Sequence, residues 1–216
     1  MKKPVIGVIF DLDGVIVSTD DCHYEAWKLM AEREGIYFDR AINERLRGIS
    51  RMDSLEIVLE RTQKNYSDEE KAELAAFKNE AYKQFVQKMT PADLLPGVYE
   101  TLRQLKASGI KIAIGSSSKN TPIILRQIGL SEYFNAVADG NQITRSKPDP
   151  EVFLLAAEKL ALKPDQCLVV EDADAGVEAA LAGGMQVLGV GSAAHNAKAT
   201  LRAESLETIK LWEEII

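Results

Sequence analysis

Val5-Ile6-Gly7-Val8-Ile9-Phe10 is an unbroken apolar, β-branched run that stops at Asp11, and it reads as a strand buried on both faces. Comparable short runs recur at Ile110 to Ile114, near Phe134 to Ala138, at Cys167 to Val170 and at Gln186 to Val190. Between them lie helical patterns at about 97–107, 120–128, 149–161 and 174–182, and a last amphipathic helix is expected from about Ser205. Short apolar strands alternating with helices predict an α/β chain with a doubly wound parallel sheet. The first strand stands apart from the series. A stretch from about 40 to 90 with no second strand-like run separates them, preceded by a helical pattern at about 22–33. Ser50-Arg51-Met52-Asp53 and Ser67-Asp68-Glu69-Glu70 look like helix starts within that stretch, each placing a cap residue three positions before an acid. The expected organisation is therefore a doubly wound α/β core of residues 1–14 plus 93–216 with an α-helical cap, residues 15–92, inserted into it.

Charge narrows the partners. With 33 acidic and 26 basic side chains in 216 residues, the net charge is −7, and neither part of the chain is a basic arm, so nucleic acid is not expected. No run approaches the roughly 20 apolar residues of a membrane span. The lysines at the start precede only about six apolar residues, too few for a signal-peptide core. Cys22 and Cys167 show no metal-ligand spacing and are too few for a disulfide framework, which points to a reducing cytoplasm. Neither a Gly-x-Gly-x-x-Gly fingerprint nor a Walker loop is present, which argues against nucleotide binding.

In open parallel sheets ligands bind beyond the carboxyl ends of the strands. The segments there are Asp11-Leu12-Asp13-Gly14, then Ser116-Ser117-Ser118-Lys119-Asn120, and Glu171-Asp172, with Ser146-Lys147-Pro148 ahead of a core helix. Any one of these would ordinarily be turn or cap chemistry. Together they offer four carboxylates on one edge, which repel unless a divalent cation sits among them, and an all-oxygen set suits Mg²⁺. Such a cation reverses the local sign and admits an anionic substrate to a chain of net negative charge.

Phe10-Asp11-Leu12-Asp13-Gly14-Val15, followed by Ser116, Lys147 and Glu171-Asp172, resembles the haloacid dehalogenase superfamily, and the resemblance spans the chain. It implies that Asp11 attacks phosphorus to form an aspartyl-phosphate and that Asp13 is the general acid and base. It also implies that Ser116 holds phosphoryl oxygens, that Lys147 balances their charge, and that Asp11, Asp13, Glu171 and Asp172 hold Mg²⁺, with Asp13 using its backbone carbonyl. A carboxylate attacks a polyanion only once charge is neutralised, which accounts for those residue types.

The insert resembles the helical cap of the branch holding phosphoglycolate phosphatases and β-phosphoglucomutases. His23 and Trp27 match a His-x-x-x-Trp helix. Gly48, Ile49, Ser50, Arg51 and Ser54 lie in a segment similar to the substrate-specificity loop of the mutases, where Arg51 would grip the non-reacting phosphate. Lys78-Asn79 and Thr90-Pro91-Ala92-Asp93 also resemble mutase segments, as does Ser118-Lys119-Asn120, and Ser117 joins these as an expected substrate contact. Val17 and Ser18 replace a Thr and an Asp of the mutase pattern, Thr19 is kept, and Ala173 stands where a serine occurs. His195 has no motif around it and is read as surface.

The resemblance implies interconversion of β-glucose 1-phosphate and glucose 6-phosphate, with glucose 1,6-bisphosphate as intermediate and activator. The implied partner is a small-molecule sugar phosphate, with no nucleic acid or membrane, for a monomeric chain. A Mg²⁺-dependent sugar-phosphate phosphatase on the same scaffold is the alternative. A non-catalytic binding protein would be expected to have lost Asp11 or a metal carboxylate, and all are present.

Overall fold

A computed structural model describes residues 4–46 and 50–215. The described chain divides into two compact units: one takes in the chain up to Ser18 and from Thr90 onward, the other is Thr19–Met89.

The larger unit is built on a parallel sheet. Its strands are β1 (Gly7–Phe10), β2 (Lys111–Gly115), β3 (Ala136–Ala138), β4 (Cys167–Glu171), β5 (Gln186–Gly189) and β6 (Leu201–Arg202), in the order β3-β2-β1-β4-β5-β6. The first strand is central. Phe10 pairs with Ile114 of β2 on one side and with Val170 of β4 on the other; the chain runs from β1 out to β2 and β3 and then crosses back to β4, so the strand order reverses between β1 and β4. That is the switch point at which such sheets bind ligands. All four residues of β1 and all five of β4 are buried, as the apolar runs require of strands covered on both faces. Ile9, Phe153, Val169, Val177 and Val187 belong to the hydrophobic cluster of this unit.

Two expectations from the sequence need correction near the C-terminus. A short edge strand, β6, pairs in parallel with β5 through Leu188–Leu201 and Gly189–Arg202. Two residues carry too little pattern to be read as a strand. The helix expected from about Ser205 is only four residues, Leu211–Glu214. Residues 205–210 are irregular, with a turn at Leu206–Glu207 and the Thr208 hydroxyl donating to the Ser205 carbonyl at 2.9 Å. His195 is exposed.

The segments joining the units are anchored in the larger one. Val17 bridges to Leu94 in antiparallel fashion, and the Leu95 N–H donates to the Ile16 carbonyl at 3.0 Å. Residues 15–18 and 90–92, expected in the cap, therefore pack with the core unit. The smaller unit is helical: α1 (Asp20–Arg33), α2 (Arg40–Glu44), α3 (Arg51–Leu59) and α4 (Asp68–Val86). Ser50 and Ser67 cap α3 and α4 as their spacing to Asp53 and Glu70 predicts, the second with a full capping box. Trp27, Met30, Leu55, Val58 and Leu74 form its apolar centre.

Candidate active site

The loop after β1 is tight. Gly14, at φ +83°, takes a left-handed turn, and its N–H donates to the Val17 carbonyl at 2.7 Å. Asp11 therefore stands at the mouth of the central strand, 7 % exposed. Glu171, 1 % exposed, ends the neighbouring strand, and Asp172 follows it. Ligand oxygens of these three residues all lie within 4.8 Å of one another. The side chain of Asp13 is not part of that set.

Lys147 answers this charge. Its Nζ donates to Asp11 Oδ1 at 2.5 Å and also to Glu171 Oε1, while lying 4.6 Å from the centre of the Phe153 ring. Burial lowers the affinity of that ammonium for its proton, but the two carboxylates outweigh it and raise the Lys147 pKa. One cation does not balance the cluster. Burial raises Asp11 to about 7; Lys147 pulls it down, while Glu171 and Asp13 push it up. Burial likewise raises Asp172 to about 8, with Asp11, Glu171 and Asp13 adding to the rise. Three close carboxylates carrying more negative charge than their lysine neutralises are a donor set that fits Mg²⁺.

The β2 end supplies the hydroxyl segment. Ser116, buried, receives the Ser118 N–H on its Oγ at 3.2 Å, and the Ser118 Oγ accepts from the Asn120 N–H at 3.2 Å. The loop is held from β3: the Ser116 N–H donates to the Ala138 carbonyl, and the Gly140 N–H to the Ser118 carbonyl. Asn141 Nδ2 donates to the Lys119 carbonyl at 3.0 Å. Lys119 is exposed and Asn120 buried. The Ser117 Oγ is buried with no hydrogen-bond partner among the described residues.

The helical unit gathers a second group of residues. Lys78 is 3 % exposed, and its Nζ lies 2.8 Å from His23 Nδ1, 4.8 Å from the centre of the Trp27 ring and 4.9 Å from that of Tyr82. An ammonium only donates, so Nδ1 accepts and the neutral imidazole carries its proton on Nε2. Burial, then Lys78 and Arg51, hold the His23 pKa well below its usual value. Arg51 Nη2 donates to Asn79 Oδ1 at 2.8 Å. Ser54 is buried in the first turn of α3, while the Ser50 hydroxyl is engaged with Asp53 as the cap of that helix. Trp27 is both a wall of the lysine box and part of the apolar centre. Gly48 and Ile49 lie outside the described residues. Tyr82 was not anticipated. Its spacing of four from Lys78 on one helix is the signal that would have found it, and its ring centre stands 4.3 Å from that of His23.

Residues 7–184 match the family described as haloacid dehalogenase-like hydrolase. The chain is 47% identical over 186 residues to the beta-phosphoglucomutase of Bacillus subtilis (strain 168), covering 85% of this chain and 82% of that one. It is 34% identical over 215 residues to a phosphorylated carbohydrates phosphatase of Thermotoga maritima, covering 97% and 95%. Among solved structures, a beta-phosphoglucomutase from Clostridium difficile superposes with a TM-score of 0.86 at 38% identity, covering 97% and 96%. A sheet whose switch point carries Asp11, Lys147, Glu171 and Asp172, together with a family match over most of its length, places the chain: it belongs to the haloacid dehalogenase-like hydrolases.

Proposed function

We propose that the chain is a β-phosphoglucomutase, interconverting β-D-glucose 1-phosphate and D-glucose 6-phosphate through an aspartyl-phosphate on Asp11 and a glucose 1,6-bisphosphate intermediate. The observation that carries phosphoryl transfer is the pairing of Lys147 with Asp11 at the switch point, at 2.5 Å. The lysine keeps one oxygen of Asp11 oriented and offsets the repulsion between a carboxylate and an incoming phosphate. Asp13, two residues on, donates a proton to the leaving oxygen and later takes one from the accepting hydroxyl. Ser116 and the backbone of the loop after it hold phosphoryl oxygens. Asp11, Glu171 and Asp172, with the Asp13 carbonyl, hold Mg²⁺. When bound, that ion supplies further neutralisation of phosphoryl charge.

The mutase reading, as against a phosphatase, draws its support from the 47% identity to the Bacillus subtilis enzyme and from the cation group of the helical unit. A mutase must grip the phosphate that is not reacting, and the Arg51 guanidinium, oriented by Asn79, suits that task better than a lysine. Lys78, Lys119 and Asn120 are assigned to the sugar and its second phosphate, with His23 and Trp27 lining the lysine. A sugar-phosphate phosphatase is favoured by the 34% identity to the Thermotoga maritima enzyme over nearly the whole chain. Phosphorus NMR of β-glucose 1-phosphate with Mg²⁺ and a trace of bisphosphate separates them. Glucose 6-phosphate is expected, and inorganic phosphate as the only product overturns the mutase reading.

A further inference from the structure

Glu171 is the most fully enclosed acid of the cluster. One carboxylate oxygen accepts from Lys147, and the other accepts from the Ala173 N–H at 2.9 Å. Its side chain folds back from the end of β4 over the first turn of the helix that follows, Asp174–Ala182, and lies on Gly176. A β-carbon at residue 176 would fall on the Glu171 carboxylate itself and 2.6 Å from its Cγ. Gly176 is helical and has no positive φ, so nothing in its own backbone asks for glycine. Helix propensity asks for alanine instead. The missing side chain is the space occupied by Glu171.

We propose that Gly176 is a positioning residue for Glu171: the space left by its absent side chain sets the place of a carboxylate shared between Lys147 and the cation site. The inference rests on the reading of Glu171 as a cation ligand. Gly14 stands in the same relation to Asp172, since a β-carbon there would fall on the Asp172 carboxylate, 2.9 Å from Oδ1 at the farthest of its three nearest atoms. At φ +83°, however, Gly14→Ala is strained whatever its neighbours do. Gly176 allows the cleaner test.

The test is Mn²⁺ titration of metal-free protein, with free Mn²⁺ read by electron paramagnetic resonance, on wild type, Gly176→Ala, Glu171→Ala and the double variant. Gly176→Ala is expected to bind Mn²⁺ about 10- to 100-fold more weakly while circular dichroism stays native, the usual cost of disturbing the support of a metal ligand. Glu171→Ala removes the Cγ and the carboxylate that a β-carbon at residue 176 would meet. Adding Gly176→Ala to it is therefore expected to cost nothing further, a non-additivity that a merely structural role does not produce. Wild-type affinity in Gly176→Ala, or losses that multiply in the double variant, overturns the proposal. If Gly176→Ala does not fold, the double variant is expected to, and its failure also overturns the proposal. Should wild type bind no Mn²⁺ that Asp172→Asn abolishes, the cation reading itself falls and this inference with it.

Discussion

Lys147 Nζ and Asp11 Oδ1 stand 2.5 Å apart although 136 residues separate them in the chain. The pairing exists because β1 is central in the sheet, and the lysine, from the loop ahead of the helix Glu151–Lys159, reaches its carboxyl end. The Lys147 and Asp11 side chains are only 12 % and 10 % exposed, so each depends on the other for its charge.

Removing the lysine alone leaves Asp11 and Glu171 facing each other without a cation. Lys147→Met is expected to lower kcat by about 10³-fold or more, the scale of losing a preorganised charge at developing phosphoryl charge. Without metal at pH 8 it is also expected to cost about 3–5 kcal/mol of stability, as breaking a buried pair does. Urea unfolding with and without Mg²⁺ measures this, and a variant as stable as wild type in metal-free buffer contradicts it.

The carboxylates make a prediction about pH. Folding raises Asp11 to about 7 and Asp172 to about 8, against an ordinary carboxylate near 3.8. A carboxyl raised in this way binds more protons folded than unfolded. Its stabilising share is therefore intact at low pH and lost as pH climbs from about 4 through 7–8. Asp172→Asn removes one such group, so in metal-free buffer it should gain thermal stability relative to wild type between pH 5 and pH 8.5. Millimolar Mg²⁺ should reverse the gain, because the wild-type carboxylate is then a ligand. A difference in Tm that is flat with pH contradicts the cluster's electrostatics.

The chain has two histidines and only His23 lies in the helical unit, which makes proton NMR decisive there. His23 is held neutral by burial first and by Lys78 second, with its Nδ1 accepting from the ammonium. Lys78→Met is expected to move the His23 titration upward, and turnover is expected to fall with it. An unmoved titration in a folded variant would show that the lysine does not face the ring.

Arg51→Ala should separate grip from chemistry. Loss of a charged hydrogen-bonding partner for the second phosphate is worth roughly 1.5–3 kcal/mol, about 10- to 150-fold in turnover of the sugar phosphate. Phosphorylation of Asp11 by a small donor, which has no second phosphate, should be spared. Equal losses in the two reactions remove the assignment.

Much of the core was legible because its signals are local. An apolar run that stops at Asp11, and another that stops at Glu171-Asp172, mark strands and their carboxyl ends together, and alternation with helices makes the sheet parallel. What escaped depends on partners distant in sequence or on very short elements. β6 is two residues, the terminal helix is cut short by the turn at Ser205–Thr208, and residues 15–18 and 90–92 are claimed by backbone pairing between Ile16–Val17 and Leu94–Leu95. In the helical unit, His23, Trp27 and Lys78 are legible from the sequence. That Tyr82 joins them in a box around the lysine required the packing of α1 against α4. Gly176 gave no sign at all, since a glycine's neighbour cannot be read from the glycine.

The most direct measurement is a chase of Asp11 labelled by a phosphoryl donor. Labelled phosphoenzyme mixed with excess β-glucose 1-phosphate should pass its label to glucose 1,6-bisphosphate faster than to water, with no labelling at all in Asp11→Asn. Release of the label as inorganic phosphate at the same rate with and without the sugar phosphate would contradict the account.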